Sequence, residues 1–252
     1  MKIINLSSGS KGNTTYVETN KSKLLIDLGN SSKYVKERLM ELNVDPKDID
    51  GILITHTHKD HIKGLEVFCK KYKTKVYITS KMLEELPYLS NYELINSSEF
   101  NINDIKIVVI KTSHDASDSN GYILYNDNKS LVYITDTGYI NHKYFELLKD
   151  KNVYIMESNH DIEMLNNGSY PYELRKRIYG DKGHLSNVDC SKYLTNFIGD
   201  NTKYIVLAHL SEENNRSDIA YNCLVNKLEE NNKHIDNIII AKQNETTELI
   251  EI

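Results

Sequence analysis

The chain has 252 residues, 39% of them hydrophobic and 27% charged, with a formal net charge of −5. That length can bury a sizeable core as one large domain or two small ones. The acidic balance argues mildly against a surface built to coat nucleic acid, though not against a nuclease with a local basic patch. Cys69, Cys190 and Cys223 are scattered and form no Cys-x-x-Cys pair, which reads as reduced thiols in a cytosolic protein. The start is too short and polar for a signal peptide, and no apolar run reaches membrane-spanning length. A cytoplasmic protein without a membrane partner is expected.

In chain order, residues 2–6 read as a first strand. The Gly/Ser turn Ser7-Ser8-Gly9-Ser10-Lys11-Gly12-Asn13 leads to a second strand around Thr15–Thr19. A strand rather than a helix follows the turn, so this is a hairpin loop and not a phosphate-binding P-loop. Lys23–Gly29 is a buried strand ending in Asp27 and Gly29, and Asp27 on its own reads as a turn or helix cap. A helix over Ser32–Leu42 follows, with Val35, Leu39 and Leu42 at helical spacing, and Asn43-Val44-Asp45-Pro46 ends it. Next comes Ile52-Leu53-Ile54-Thr55-His56-Thr57-His58-Lys59-Asp60-His61, an apolar run that ends in three histidines and an aspartate. Strand-end imidazoles beside a carboxylate suit zinc, manganese or iron. This stretch is a metal site.

A helix is expected from Ile62 to about Tyr72, a strand over Val76–Thr79, and a short helix capped by Ser80 and stopped at Pro87. Residues 92–111 suggest a pair of strands, the second (Ile105–Lys111) running out into Thr112-Ser113-His114. Gly121–Tyr125 and Leu131–Thr135 pair as a hairpin, and the second leads to Asp136-Thr137-Gly138 before a helix over Asn141–Lys149. A strand from Val153 ends in Glu157-Ser158-Asn159-His160. Tyr170–Tyr179 reads as a helix capped by Ser169. Its Arg175, Lys176 and Arg177 read as a solvated face ahead of a phosphate patch. Gly183-His184-Leu185-Ser186-Asn187 precedes a helix from Val188 to Ile198, with Ser186 or Asn187 as cap, and the strand Tyr204–Ala208 is followed by His209. A helix over Ser217–Asn231 and strands at Ile235–Ala241 and Glu248–Ile252 complete the reading. His142 and His234 have no motif context.

His56-Thr57-His58-Lys59-Asp60-His61 resembles the His-x-His-x-Asp-His signature of the metallo-β-lactamase-fold hydrolases, and the likeness extends over essentially the whole chain. Ser8-Gly9-Ser10, Glu157-Ser158-Asn159-His160-Asp161, Gly168-Ser169-Tyr170-Pro171, Lys182-Gly183-His184-Leu185-Ser186-Asn187 and Ala208-His209-Leu210-Ser211 resemble the YycJ (WalJ)-like subgroup. The resemblance implies an α/β (α+β) fold: a four-layer αββα sandwich of two mixed sheets flanked by helices, as one domain over residues 1–252. It implies two divalent metal ions, zinc by default and manganese as the other option, and no organic cofactor. His56, His58 and His114 would hold one ion, Asp60, His61 and His209 the other, and Asp136 would bridge them. Asp27 would steady the metal-binding loop from behind. Ser8 would flank the site mouth, and Asn159 and His160 would stand behind the ligands or against substrate. Gly183-His184 also resembles an element of transfer-RNA 3′-processing endonucleases, which gives His184 the role of proton donor to the leaving group, with Glu157 orienting it.

The implied activity is dinuclear hydrolysis of phosphodiesters in DNA or RNA, with Asp60 kept as in the hydrolytic members. Hydrolysis of small esters, lactones, thioesters or cyclic phosphodiesters is the alternative, and a non-catalytic metal-binding regulator is a third. Nothing in the sequence fixes the oligomeric state.

Overall fold

The computed structural model describes all 252 residues. The first half runs β1 (Lys2–Ser7), β2 (Thr14–Glu18), β3 (Lys23–Ile26), α1 (Ser32–Glu41), β4 (Gly51–Leu53), α2 (Lys59–Ile62), α3 (Leu65–Tyr72), β5 (Lys75–Ile78), α4 (Ser80–Glu85) and β6 (Tyr92–Leu94). The second runs β7 (Glu99–Ile102), β8 (Ile105–Lys111), β9 (Asn120–Asn126), β10 (Lys129–Ile134), α5 (Phe145–Leu148), β11 (Val153–Glu157), α6 (Ile162–Asn167) and α7 (Tyr172–Tyr179). It continues through α8 (Asn187–Phe197), β12 (Tyr204–Ala208), α9 (Ser217–Glu230), β13 (Asn237–Ile240) and β14 (Ile250–Glu251).

These strands form two seven-stranded sheets, ordered β14-β1-β2-β3-β4-β5-β6 and β13-β12-β11-β10-β9-β8-β7. In each sheet antiparallel pairing gives way to parallel pairing, at β3 in the first and β10 in the second. The strands alternate between two buried faces, which is why they read as nearly continuous apolar runs. Ile3, Leu24, Ile26 and Leu53 join Tyr133, Ile155 and Val206 in a core of 21 buried residues between the sheets. Their neighbours Ile4, Leu25, Ile52 and Ile54 turn the other way, onto α1 and α3. Ile123, Val132, Tyr154 and Ile205 do the same against α8 and α9. The result is helix, sheet, sheet, helix, the layered fold that the resemblance implied.

Parallel strands joined by helices place their carboxyl ends on one side of a sheet, where loops converge. Here both sheets do so at one place. Asp27 follows β3, the histidine stretch follows β4, Asp136 follows β10, Glu157 ends β11 and His209 follows β12. Asp27, Asp136 and His209 take positive φ values of 59°, 54° and 55°. This left-handed backbone costs a non-glycine residue about 1–2 kcal/mol.

Several expectations need correction. The helix read as one piece from Ile62 to Tyr72 is two. The first turn, α2, already contains Asp60 and His61, and the chain then breaks at Lys63-Gly64. Gly64 donates its N–H to Leu28 O, and a Cβ there would lie 2.2 Å from Asn30 O. The region 92–111 holds three strands, because β6 closes the first sheet while β7 and β8 form a hairpin in the second. The helix expected over Asn141–Lys149 shrinks to a 3₁₀ turn (His142–Tyr144) and α5. Thr79 rather than Ser80 is the cap position of α4, without a side-chain bond. A separate α6, capped by Asp161, was not anticipated, and α7 starts at Tyr172 with Pro171, not Ser169, at its cap position.

Gly29 ties these elements together. Its N–H donates to Asn13 O, while Asn13 N–H donates to Asp60 O and Leu28 N–H to His61 O. A Cβ on Gly29 would lie 1.6 Å from Asp60 O and 2.5 Å from Asn13 N. These are backbone atoms, which cannot swing aside. The substitution Gly29→Ala is expected to destabilise the protein by roughly 3 kcal/mol or more and to deplete its metal content, measured by thermal unfolding and elemental analysis. A variant that melts and loads metal as the wild type does would contradict this packing.

Candidate metal centre

Donor atoms of His56, His58 and His114 lie within 4.8 Å of one another, as do those of Asp60, His61 and His209. Asp136 lies between the two groups. Its Oδ2 is 3.2 Å from His61 Nε2, and its Oδ1 is 3.5 Å from His209 Nδ1 and 3.8 Å from His114 Nε2. Sheet pairing and the short α2 turn produce this convergence. Each trio draws on both sheets, His114 of the second joining residues of the β4 loop and His209 of the second joining those of α2.

The hydrogen bonds behind each ring fix which nitrogen points inward. Asp27 Oδ2 accepts from His61 Nδ1 at 2.7 Å, and the same carboxylate accepts the N–H and the hydroxyl of Thr55 at 2.8 Å each. Gly183 O can only accept, so His114 carries its proton on Nδ1, 3.2 Å away. Thr55 Oγ1 receives His56 Nδ1 at 3.1 Å. Each ring then presents Nε2 to the centre, the usual way in which an outer partner sets the tautomer of a metal-binding histidine.

The donor set suits a divalent cation. His56 Nε2 is buried without any hydrogen-bond partner, and buried Asp136 Oδ2 has only the His61 ring nitrogen beside it, at 3.2 Å. His114 Nε2 faces His58 Nδ1 at 3.2 Å, two ring nitrogens that need a shared proton or a cation to lie so close. Imidazoles mixed with carboxylates match zinc and similar first-row ions. The chain binds divalent metal.

Without metal, the charges lean on each other. Burial disfavours the charged form of His61, yet Asp136, Asp27 and Asp60 outweigh it and hold the ring protonated well above its ordinary range. Burial likewise opposes the charge on His209, but Asp136, Asp60 and Glu157 push it up to about 10. Burial, reinforced by His61, drives His56 well below its ordinary value, and His114 is also lowered chiefly by burial. Burial pushes Asp27 up, against the pull of His61.

His184 and Glu157 form a second unit beside the first. Glu157 Oε1 accepts from His184 Nδ1 at 2.7 Å and from His209 Nδ1 at 2.9 Å, while Oε2 accepts the N–H groups of Thr137 and Leu185 at 3.1 Å each. Burial opposes protonation of His184, but the Glu157 carboxylate prevails and raises it. Ser8 Oγ accepts the His209 N–H at 2.8 Å, and Asn159 Nδ2 donates to His209 O at 2.9 Å. His160 stands outside every donor group. It is buried against Tyr179, its ring perpendicular and 5.2 Å away, and burial lowers it to about 4.

A cavity of about 280 Å³ opens over the donors, lined also by Asp115, Tyr170, Arg177 and Lys182. Arg177 Nε donates to Asp115 Oδ2 at 2.5 Å, and Asp115 Oδ1 is 3.4 Å from His114 Nε2. Sequence reasoning singled out neither Asp115 nor Asn13. Asn13 Nδ2 lies 3.2 Å from Asp60 Oδ2 and 3.0 Å from His61 Nε2, and its Oδ1 accepts Gly9 N–H at 2.7 Å. An asparagine ending a Gly/Ser turn carries no signal of such a contact. Asp115, directly after His114, was in plain view.

Comparison with known proteins agrees with this geometry. Residues 23–209 match the family described as the beta-lactamase superfamily domain. The exodeoxyribonuclease WalJ of Streptococcus pneumoniae serotype 2 is 40% identical over 88% of this chain and 86% of its own. The exodeoxyribonuclease YycJ of Bacillus anthracis is 39% identical over 89% and 88%. Among solved structures, the metallo-beta-lactamase fold protein YhfI of Bacillus subtilis superposes with a TM-score of 0.75 at 13% identity, covering 98% of this chain and 99% of its own. That likeness concerns the fold alone.

The electrostatics give a stability prediction. A histidine whose pKa is raised on folding stabilises the fold fully below its unfolded value and loses that contribution as pH rises through the folded one. Chelated protein should therefore lose thermal stability between pH 6.5, the ordinary histidine value, and about 10, where His209 titrates. Saturating divalent metal should remove most of the dependence, because cations then replace the protons. A melting temperature of the chelated protein that stays flat across this window would contradict the arrangement.

Proposed function

Because this chain belongs to the beta-lactamase superfamily and is a metal-dependent hydrolase of its YycJ (WalJ)-like branch, we propose that it is an exodeoxyribonuclease that hydrolyses DNA phosphodiesters. The observation that carries the reading is the pair of donor trios closed around Asp136, in a chain alike over most of its length to exodeoxyribonucleases. The reading takes residues 1–252 as one functional domain, and the core shared by both sheets supports it. No helix is long and apolar enough to cross a membrane.

His56, His58 and His114 would hold one divalent ion and Asp60, His61 and His209 a second, with Asp136 serving both. Zinc is the default and manganese the alternative, since this donor set accepts either. Such a pair supplies a water of lowered pKa and neutralises charge on a phosphate. Asp27 holds His61, and Ser8 and Asn159 hold the backbone of His209, so that ring orientation is fixed before substrate arrives. Asp60 keeps 22% of its side chain accessible against 3% for Asp136. This leaves Asp60 as the carboxylate able to orient an attacking water. Arg177 and Lys182 bring cationic groups to the cavity wall, where a phosphate oxygen would lie.

His184 acts as the general acid. With Nδ1 held by Glu157, its Nε2 proton is the one free to move to the departing alkoxide oxygen. The carboxylate then stabilises the neutral ring through the retained Nδ1–H. The raised pKa keeps the ring charged to higher pH than a free histidine.

End-labelled single- and double-stranded DNA, with RNA in parallel, is the first test. Metal-loaded protein should shorten DNA, and Asp136→Ala should be inactive. Intact strands from protein carrying its metals would overturn the reading in favour of small phosphodiesters or lactones. Replacing His184 with Ala should slow cleavage by about 10²–10⁴-fold. Glu157→Gln removes the charge that raises His184. Activity should then fall away at lower pH than in the wild type, compared at matched metal content because Glu157 also holds His209. An alkaline limb that does not move would exclude His184 as the acid.

A further inference from the structure

Helix α7 crosses the mouth of the metal cavity without burying any of its residues. Its inner side contributes Leu174, Arg177 and Ile178 to that cavity. Its outer side lines a separate shallow groove of about 400 Å³ with Tyr172, Arg175, Lys176 and Tyr179. Tyr172 is 67% and Tyr179 43% exposed, so the fold does not need either ring for its core. The groove is nevertheless built. The Tyr179 hydroxyl donates to Ile162 O at 3.0 Å, and its ring packs perpendicular to buried His160. The Arg175 guanidinium donates to the Asn166 carbonyl. No carboxylate lines the groove, whereas Arg177 on the inner side is occupied by Asp115.

Resting on the nuclease reading, we propose that the outer groove of α7 is a binding site for single-stranded DNA, holding the part of the strand next to the segment being cut. Two exposed aromatic rings with two cations and no anion fit a polyanion that carries flat bases. The tyrosines are seven residues apart, two turns of helix, and so roughly 10 Å apart along its axis. That is about three steps of a stacked strand at its usual rise. Base stacking on tyrosine ignores sequence, which suits an enzyme that moves along a strand. One helix separates the groove from the metal cavity, so a strand whose end is among the donors passes over α7. His160, which belongs to no donor group, then has a role: it fixes the orientation of the Tyr179 platform.

The test uses the full-length, metal-loaded protein with fluorescein-labelled oligothymidylates of about 4 and about 16 nucleotides, the span of known single-strand sites. Turnover of bis(4-nitrophenyl) phosphate reports on the metal centre alone. The variants Tyr172→Ala and Lys176→Gln alter exposed side chains that no core contains. Tyr172→Ala should weaken binding of the longer strand at least about fivefold. Lys176→Gln should reduce the slope of log affinity against log salt by roughly 0.7. Binding of the short strand and turnover of the small ester should stay within about twofold of wild type. Unchanged affinity and salt slope in both variants, with DNA cleavage by the wild type intact, would overturn this proposal alone. Effects seen on oligouridylate but not on oligothymidylate would overturn its assignment to DNA. A wild type that turns over the small ester but neither binds nor cuts DNA would overturn the nuclease reading and this site with it.

Discussion

The structure depends on a buried carboxylate that cannot stand alone. Asp136 is 2% exposed, and imidazole nitrogens of His61, His209, His184 and His114 lie 3.2, 3.5, 3.6 and 3.8 Å from its oxygens. An uncompensated carboxylate at that depth costs several kcal/mol. The imidazoles that compensate it come from both sheets, so the two halves of the fold are held in one relative position by polar contacts as well as by the apolar core between them. The left-handed backbone at Asp27, Asp136 and His209 belongs to the same constraint. Each lies where a parallel strand ends and the chain must turn its next side chain toward the common centre. Strain of this kind persists only where the surroundings over-determine it, and here the flanking strands are paired on both sides.

Asp27 and Glu157 perform related tasks in the two sheets. Each is a fully buried carboxylate at the end of a strand, and each accepts backbone N–H from a neighbouring loop as well as an imidazole Nδ1–H. Asp27 serves one ring. Glu157 serves two, His209 and His184, and so joins a proposed metal ligand to the proposed acid through a single oxygen. A change at Glu157 therefore touches both, which is why metal content must be followed alongside the pH profile.

Much of this was legible in the sequence, because strand-end polar residues after apolar runs are a local pattern. His56, His58, Asp60, His61, His114, Asp136 and His209 all stand just past such runs, and the resemblance supplied their grouping. What was not legible depends on pairs far apart in the chain. Asn13 reaches Asp60 and His61 across more than forty residues, and Gly29 is required only because Asp60 O lies against it. The break at Lys63-Gly64 was hidden for the same reason. Ile62, Leu65 and Phe68 keep helical spacing across it, while the cause, close approach to Leu28 and Asn30, is tertiary. His160, read as standing behind the ligands or against substrate, belongs to no donor group, and its ring packs on Tyr179.

The net charge of −5 is no obstacle to a polyanionic substrate once the positions of the charges are known. At the centre, the carboxylates of Asp27, Asp60, Asp136 and Glu157 each lie against histidines, so the local charge there is balanced by side chains and not given by overall composition. On the cavity wall Arg177 is held by Asp115, which fixes the guanidinium in place but spends part of its charge. Two cations that pair with no carboxylate, Arg175 and Lys176, sit one helix face away beside exposed aromatic rings. Overall charge governs long-range attraction, which salt screens within about 10 Å. Contact-range recognition is governed by what lines the path, and along α7 that lining is cationic and aromatic.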